Sequence, residues 1–436
     1  MRKVLIITYY WPPTGGSGVQ RWLKFAKYLP EFNWEPIIYT PKNPDANAKD
    51  NALLKEVSPD LTVIKTEIKE PYSYYKKFIG KKNNEQIKAH VMSDNNSSFK
   101  QKLSVFIRGN FFIPDPRCWW IRPSVKYLTK YLKEHPVDII VSTGPPHSMH
   151  LIAKKVSKAT GIKWIADFRD PWTEIFYYDQ LRLTKFAKNR NKKLEQGVLD
   201  SATEVVVVTK LMREAFQKRT NTPISLITNG FDEADFEITS DTYSPKFNIV
   251  YTGLLSTPMN PDILWDILGK KVKEDKQFKE DLQITVMGQT DTSVIDSIKE
   301  AGIIDNFTNL GYVSHNIAIN WQKKADILLL TLMKGKAASS IITGKAFEYI
   351  ASGSQILTIG PTKGDLGDLL RETECGTVYE FSDYNGIKSF IDNSYTNFKN
   401  DKNNNRNNKE ISPKALKYSR RNLTKEMAEI FNKYCK

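Results

Sequence analysis

Short apolar runs recur along the chain, each followed by turn residues and then by helical spacing. Val4–Thr8, Pro36–Thr40, Leu61–Lys65, Ile139–Ser142, Trp164–Phe168, Glu204–Val208 and Ile224–Thr228 read as buried strands. After the first, Val19, Trp22, Leu23, Ala26 and Leu29 share one helical face. Phe99–Arg108 reads as an amphipathic helix and Leu181–Leu194 as a basic one. Residues 237–246, with Ser, Thr, Asp and Pro245, break this rhythm and read as a linker. The pattern restarts with Ile249–Thr252, Leu282–Met287, Ile327–Leu330 and Ile356–Ile359. Asn400–Asn408 is polar and of low complexity, and Pro413–Tyr434 reads as a last helix. Strands alternating with helices imply parallel sheets, here in two sets. The expected division is 1–236, linker 237–246, 247–411, and a terminal helix in 412–436.

Thr343–Gly353 carries the clearest chemistry. Lys345 and Glu348 are three residues apart and share a helical face. Ala346, Phe347, Ile350 and Ala351 form the opposite apolar stripe, and Gly353 stands where a helix-ending glycine belongs. A lysine at a helix N-terminus suits a diphosphate. A carboxylate one turn later accepts hydrogen bonds from sugar hydroxyls. Taken alone, the pair reads better as an ordinary surface ion pair on an amphipathic helix, and only the rest of the chain favours the ligand site.

Strand, glycine loop and helix recur at Pro12-Pro13-Thr14-Gly15-Gly16-Ser17-Gly18. Arg21 occupies the place of the third glycine of a dinucleotide fingerprint, and no Gly-Lys-Ser/Thr follows. A ligand cradle and a tight strand-to-helix turn explain this loop equally well. His147 and His150 follow the strand Ile139–Ser142, at a strand end where open α/β sheets place ligands. No cysteine or nearby third ligand supports a metal there. Asp167 and Asp170 flank Arg169, with Trp172 next, and an internal ion pair suffices to explain them.

The formal charge of +15 favours anionic partners. Neither zinc-finger spacing nor an RNP-like aromatic strand is present, so nucleic acid is the weakest of them. Tyr72–Arg108 interleaves eight lysines and arginines with aromatic residues against only Glu85 and Asp94. That composition suits an anionic membrane surface, and also a solvated insertion over the sheet. No stretch approaches the roughly 20 apolar residues needed to span a bilayer. The N-terminal MRKVLIITYY is too short a run for a signal peptide and lacks a small-residue cleavage site, so a cytoplasmic protein is expected. Cys118, Cys375 and Cys435 are too widely spaced for a disulfide framework or a zinc site.

Taken in order, the Pro-Pro-x-Gly-Gly-x-Gly loop at 12–18, Thr143–His150, Asp167–Trp172, Asn229-Gly230-Phe231-Asp232 and Gly344–Gly353 resemble bacterial glycosyltransferases of the GT-B fold, most closely family 4. The resemblance spans nearly the whole chain. It implies two Rossmann-like, doubly wound parallel-sheet domains facing across a cleft, with acceptor on the first and nucleotide sugar on the second. The last helix would return to the N-terminal domain. It also implies sugar transfer with retention of configuration, often onto glycan or lipid-linked acceptors for capsule or lipopolysaccharide.

Carried over by position, Glu348 matches the later glutamate of the family's paired motif, which binds ribose. The earlier one falls on Ser340. The loop Leu254–Pro261 holds no cation, which leaves Lys345 for the diphosphate. Gly15, Gly16 and Gly253 would approach the donor by backbone, and Asp170 and Trp172 would meet the acceptor. His147 or His150 would lie near the reacting sugar. Backbone N–H groups and Lys345 can stabilise leaving-group charge. No Asp-x-Asp triplet is present, so no metal and no cofactor is expected beyond the donor, with a UDP-sugar favoured. A nucleotide-sugar epimerase and a non-catalytic glycan- or nucleotide-binding protein are the alternatives.

Overall fold

A computed structural model describes residues 1–45, 49–70, 99–175, 178–237, 245–400 and 410–435. The chain divides into two compact units, Met1–Thr228 with Leu423–Lys436, and Asn229–Asn422. The linker expected at 237–246 and the polar stretch at 400–408 lie largely outside the described residues, as do residues 72–98 of the basic, aromatic segment.

The first unit is built on strands β1 (Arg2–Ile7), β2 (Trp34–Pro41), β3 (Thr62–Thr66), β4 (Ile139–Gly144), β5 (Trp164–Phe168), β6 (Glu204–Val207) and β7 (Ile224–Leu226). They form one sheet in the order β3-β2-β1-β4-β5-β6-β7, every pair parallel. Val4 pairs with both Pro36 and Ile139, so β1 is central. Val4, Leu5, Ile6 and Ile7 are all fully buried, because helices cover both faces. That is why the run is continuous instead of alternating. Leu423, Met427 and Phe431 of the last helix enter the same core as Val4, Ile6 and Trp34. Asn432 Oδ1 accepts from Trp34 Nε1 at 3.2 Å.

The second unit holds β8 (Phe247–Thr252), β9 (Leu282–Met287), β10 (Phe307–Gly311), β11 (Ile327–Thr331), β12 (Gln355–Ile359) and β13 (Gly376–Tyr379). The order is β10-β9-β8-β11-β12-β13, again all parallel. Both sheets are therefore doubly wound. Their order reverses between β1 and β4 and between β8 and β11, and ligands of such sheets bind beyond the strand carboxyl ends at those points.

Several boundaries differ from expectation. Residues 229–236 belong to the second unit, because Phe231 and Phe236 pack in its core and Arg420 N donates to Phe231 O at 2.7 Å. The basic helix begins at Lys185 instead of Leu181 and runs to Leu199. Arg182 is left-handed at φ 50°, and the Thr184 side chain caps Ala187 N. The last α-helix starts at Arg420, after a short 3-10 turn at Leu416–Tyr418. No helix among the described residues is long and apolar enough to cross a membrane.

Candidate functional site

In the second unit, β8 leads into Gly253, which sits at φ +101°. Gly253 N donates to Met287 O at 2.7 Å. A Cβ at Gly288 would come within 2.2 Å of Gly253 O, so glycine there lets the two turns approach. After β11, the chain makes a 3-10 turn at Lys336–Ser340 and enters the helix Gly344–Ser352. Thr343 precedes this helix in extended conformation, yet its side chain caps nothing. Its hydroxyl is buried with no hydrogen-bond partner among the described residues. Ala346 N donates to Thr343 O at 3.0 Å, and no side chain caps the rest of the first turn, an end that favours an anion.

Lys345 leans from that first turn toward β8. Its Nζ donates to Tyr251 Oη at 2.7 Å and lies 4.0 Å from the ring centroid. Tyr251 Oη donates in turn to Leu254 O at 2.6 Å. A Cβ on Gly253 would come 3.3 Å from Nζ, so the glycine keeps the ammonium against bare backbone. Burial lowers the Lys345 pKa to about 7, with Glu348 opposing the shift. The phenol of Tyr251 is pushed up by burial and stays neutral.

Glu348 is held from the other side. Its Oε2 accepts from Gln322 Nε2 at 3.1 Å, and Gln322 is fully buried on the helix His315–Lys324. Tyr349 Oη accepts from Thr252 N at 2.9 Å, which fixes the helix to the end of β8. The structure therefore brings Gly253, Lys345 and Glu348 together at the β8/β11 reversal. Ser340 is half-buried on the 3-10 turn before that helix. Tyr251, Gln322 and Tyr349 escaped the sequence reading, since nothing in their local pattern sets them apart from core residues.

In the first unit, Gly16 stands before the helix Ser17–Tyr28 at φ +96°, with open space on its Cβ side and no side-chain cap. Arg169 holds this loop. Its Nη1 donates to Gly18 O at 2.8 Å and its Nη2 to Pro145 O. Asp167 pairs with Arg21 rather than with Arg169. Arg21 donates from Nη2 to Asp167 Oδ1 at 2.9 Å and from Nη1 to Thr228 O at 2.6 Å. Trp22 Nε1 and Thr143 Oγ1 complete the carboxylate's shell at 2.7 and 2.8 Å. Arg21 thus occupies the third-glycine position as a structural cation.

The two histidines differ in access. His150 is fully buried, stacked on Phe168, with its Nδ1 2.8 Å from Ser142 Oγ. Burial lowers its pKa to about 3. His147 is 8% exposed and lies parallel to Trp172, with 4.6 Å between ring centroids. Burial, then the neighbouring His150 and Arg169, hold it well below the usual histidine range. A Cβ on Gly144 would come 2.5 Å from His150 Nε2 and 3.1 Å from His147 Nδ1, so only glycine fits beneath the rings. Trp172 is 3% exposed, and its Nε1 donates to Asn191 at 3.0 Å. Glu195 accepts from Trp172 N at 3.1 Å and pins the same loop. Trp172 offers little free surface, whereas Asp170 is half-buried and raised by burial against the lowering effect of Arg169. Among the described residues, no three histidine, cysteine or carboxylate side chains gather as a metal-ligand set.

Two units, each built on a doubly wound parallel sheet, give this chain the GT-B fold seen in solved glycosyltransferases. Residues 83–235 match the model of Glycosyltransferase Family 4. No curated protein matches the chain. Sucrose-phosphate synthase from Thermosynechococcus elongatus aligns over 99% of each chain at 12% identity, with a TM-score of 0.62. The S. aureus TarM G117R mutant, solved with Fondaparinux, alpha-GlcNAc-glycerol and UDP, aligns over 99% of this chain and all of its own, at 11% identity and a TM-score of 0.59. WaaG, a glycosyltransferase involved in lipopolysaccharide biosynthesis, aligns over 98% of this chain and 99% of its own, at 13% identity and a TM-score of 0.56.

Proposed function

We propose that this chain is a retaining, metal-independent glycosyltransferase. It moves a sugar from a nucleotide-diphosphate sugar, with UDP favoured as the nucleotide, to a glycan or lipid-linked acceptor of a bacterial surface polysaccharide. It would work at the cytoplasmic face of the membrane. The observation that carries this reading is the pairing of Lys345 and Glu348 at the β8/β11 reversal, one against Tyr251 and the other against Gln322. Lys345 and the uncapped helix N-terminus take the diphosphate, and Glu348 takes the ribose hydroxyls. Gly15 and Gly16 are the phosphate-contacting residues of the first unit, and Asp170 is its acceptor-contacting residue. His147, which retains some exposure, is preferred over His150 as the residue near the reacting sugar.

In the reaction, the bond from the anomeric carbon to the donor phosphate oxygen breaks. A bond to the acceptor oxygen forms on the same face. The acceptor proton passes to the departing phosphate. Charge grows on the diphosphate, where Lys345 and the backbone N–H groups stabilise it. The test is incubation with a panel of nucleotide sugars, with and without acceptor glycans. Acceptor-dependent nucleotide release supports transfer. Isomerisation of the sugar without acceptor would replace it by an epimerase, and binding without turnover by a binding protein.

A further inference from the structure

Beneath the two histidines, β4 and β5 carry a chain of polar contacts that the proposed reaction leaves unused. Trp164 pairs with Ile140 in the parallel register, so Trp164 and Ser142 stand on one face of the sheet. Trp164 Nε1 donates to Ser142 Oγ at 2.8 Å, and the same oxygen lies 2.8 Å from His150 Nδ1. All three residues are buried.

An indole N–H only donates. It takes one lone pair of the serine oxygen and leaves the serine proton to be placed. Among the described residues, His150 Nδ1 is the one acceptor that Ser142 Oγ meets. A buried hydroxyl without an acceptor forfeits a hydrogen bond that water would have given it. Ser142 therefore donates to His150 Nδ1. Burial keeps His150 neutral, so its ring proton sits on Nε2.

His150 Nε2 and His147 Nδ1 are both buried, with no hydrogen-bond partner among the described residues. Both turn toward one point above Gly144. A Cβ there would lie 2.5 Å from the first and 3.1 Å from the second. Those lengths together do not exceed the two hydrogen bonds of a bridging water. The His150 Nε2–H donates into that gap, and an enclosed water needs an acceptor for its own proton. His147 Nδ1 is that acceptor. Neutral His147 then carries its proton on Nε2, the nitrogen not enclosed over Gly144. Trp172, stacked parallel with 4.6 Å between centroids, fixes the plane of the ring.

We propose that Trp164, Ser142 and His150 are positioning residues that hold His147 as its Nε2–H tautomer, so that it meets a bound sugar as a hydrogen-bond donor and not as a base. The proposal rests on the reading that places His147 near the reacting sugar, and it assigns that residue's role. A donor here can hold a sugar oxygen but cannot take the acceptor proton, in keeping with its passage to the departing phosphate. Trp164 gives the relay its direction, because the indole has no acceptor nitrogen to reverse it.

The test is nitrogen NMR of the full chain, labelled in its five histidines and free of ligand, near neutral pH. His147→Gln and His150→Phe assign the signals. In the parent, each of the two rings should show a pyrrole-like Nε2 and a pyridine-like Nδ1. Ser142→Ala and Trp164→Phe should turn His147 from one tautomer into a mixture, although neither residue touches it. Ser142→Thr, which keeps the hydroxyl, should restore the single tautomer. Thermal melts verify the fold of each variant, and the parent spectrum needs no variant to be decisive. In transfer assays, Ser142→Ala should lower kcat by about tenfold with nucleoside diphosphate affinity unchanged. His147→Gln keeps an N–H donor and should retain at least about a tenth of the parent kcat, whereas His147→Leu should lose about a hundredfold. A pyrrole-like Nδ1 or an imidazolium at His147 in the parent would overturn the proposal. So would a His147 spectrum unmoved in both Ser142→Ala and Trp164→Phe, or equal losses in His147→Gln and His147→Leu. The expected tautomers in a chain that turns over no nucleotide sugar would keep the relay and reject the functional reading.

Discussion

Arg21 and Asp167 form an ion pair closed to solvent, 2.9 Å apart and 1% and 0% exposed, that joins the helix after β1 to the end of β5. Burial alone would raise the Asp167 pKa. The Arg21 charge, with hydrogen bonds from Arg21, Trp22 and Thr143, outweighs it and holds the carboxyl below the usual range. Removing the cation leaves a buried charge uncompensated. Arg21→Met should therefore lower unfolding free energy by about 3–5 kcal/mol, read from urea midpoints. A loss below about 1 kcal/mol would mean that the pair is dispensable.

Acid should destabilise the first unit through its buried histidine. The His150 pKa is lowered to about 3 when folded, against an ordinary value of 6.5. Between those values the unfolded chain binds the extra proton, so stability falls as pH drops from about 6.5, by at most ~1.4 kcal/mol per pH unit for this site. His147 is lowered in the same direction and adds to the slope. His150→Phe removes one titrating group, and Ser142 Oγ keeps its bond from Trp164 Nε1 at 2.8 Å. Denaturation midpoints at pH 7, 5.5 and 4.5 should fall less steeply in this variant. Parallel slopes would contradict the burial account.

Most of the scaffold is legible because central parallel strands are continuous apolar runs. Two edge strands are not. β10 (FTNLG) leaves its middle residues exposed, and β13 (GTVY) is only four residues long, so neither carries a burial signature. Lys345 and Glu348 stand out by spacing within one helix. Their partners do not, because Tyr251 lies 94 residues from Lys345 and Gln322 lies 26 from Glu348, and only the strand order joins them. Likewise Arg21 registers in the sequence as a missing glycine, since its carboxylate partner lies 146 residues away. Glu195 is hidden in a basic helix by the cations around it. Contacts made across the sheet leave no periodicity within either segment.

Transfer should survive removal of divalent ions, because the chain has no Asp-x-Asp triplet and, in the proposed function, Lys345 and helix N–H groups stabilise the leaving diphosphate. Initial rates with and without excess chelator should agree within twofold. Complete loss, restored by magnesium or manganese, would reject metal independence.

Donor binding should take up a proton at Lys345. The free lysine has its pKa lowered to about 7, and a bound diphosphate raises it by adding negative charge beside the ammonium. At pH 8 most free protein is neutral at this position and must be protonated on binding. Affinity for a nucleoside diphosphate should then fall from pH 7 to pH 9, at most tenfold per unit. Calorimetry at pH 8 in buffers of differing ionisation enthalpy should report uptake of nearly one proton. Lys345→Arg, which stays charged, should show neither effect. Equal apparent enthalpies in all buffers for the parent would refute the coupling.

Lys345 and Glu348 should separate by the part of the donor each one meets. Lys345→Ala should weaken a nucleoside diphosphate more than the bare nucleoside, since the contact proposed for it is to phosphate. It should also lower turnover, because leaving-group charge grows in the transition state. Glu348→Gln keeps the shape but loses the charged acceptor. It should weaken both ligands alike, by about 1–3 kcal/mol for a charge-assisted hydrogen bond. Gln322→Ala should follow Glu348→Gln in pattern at smaller size, because Gln322 Nε2 donates to the Glu348 carboxylate at 3.1 Å. Titration calorimetry of both ligands against the three variants gives six affinities, and the pattern is diagnostic. Equal weakening of diphosphate and nucleoside by Lys345→Ala would move the lysine away from the phosphate. If all three variants bind both ligands like the parent, Lys345 and Glu348 are ordinary helix residues, and the β8/β11 end is not the donor site.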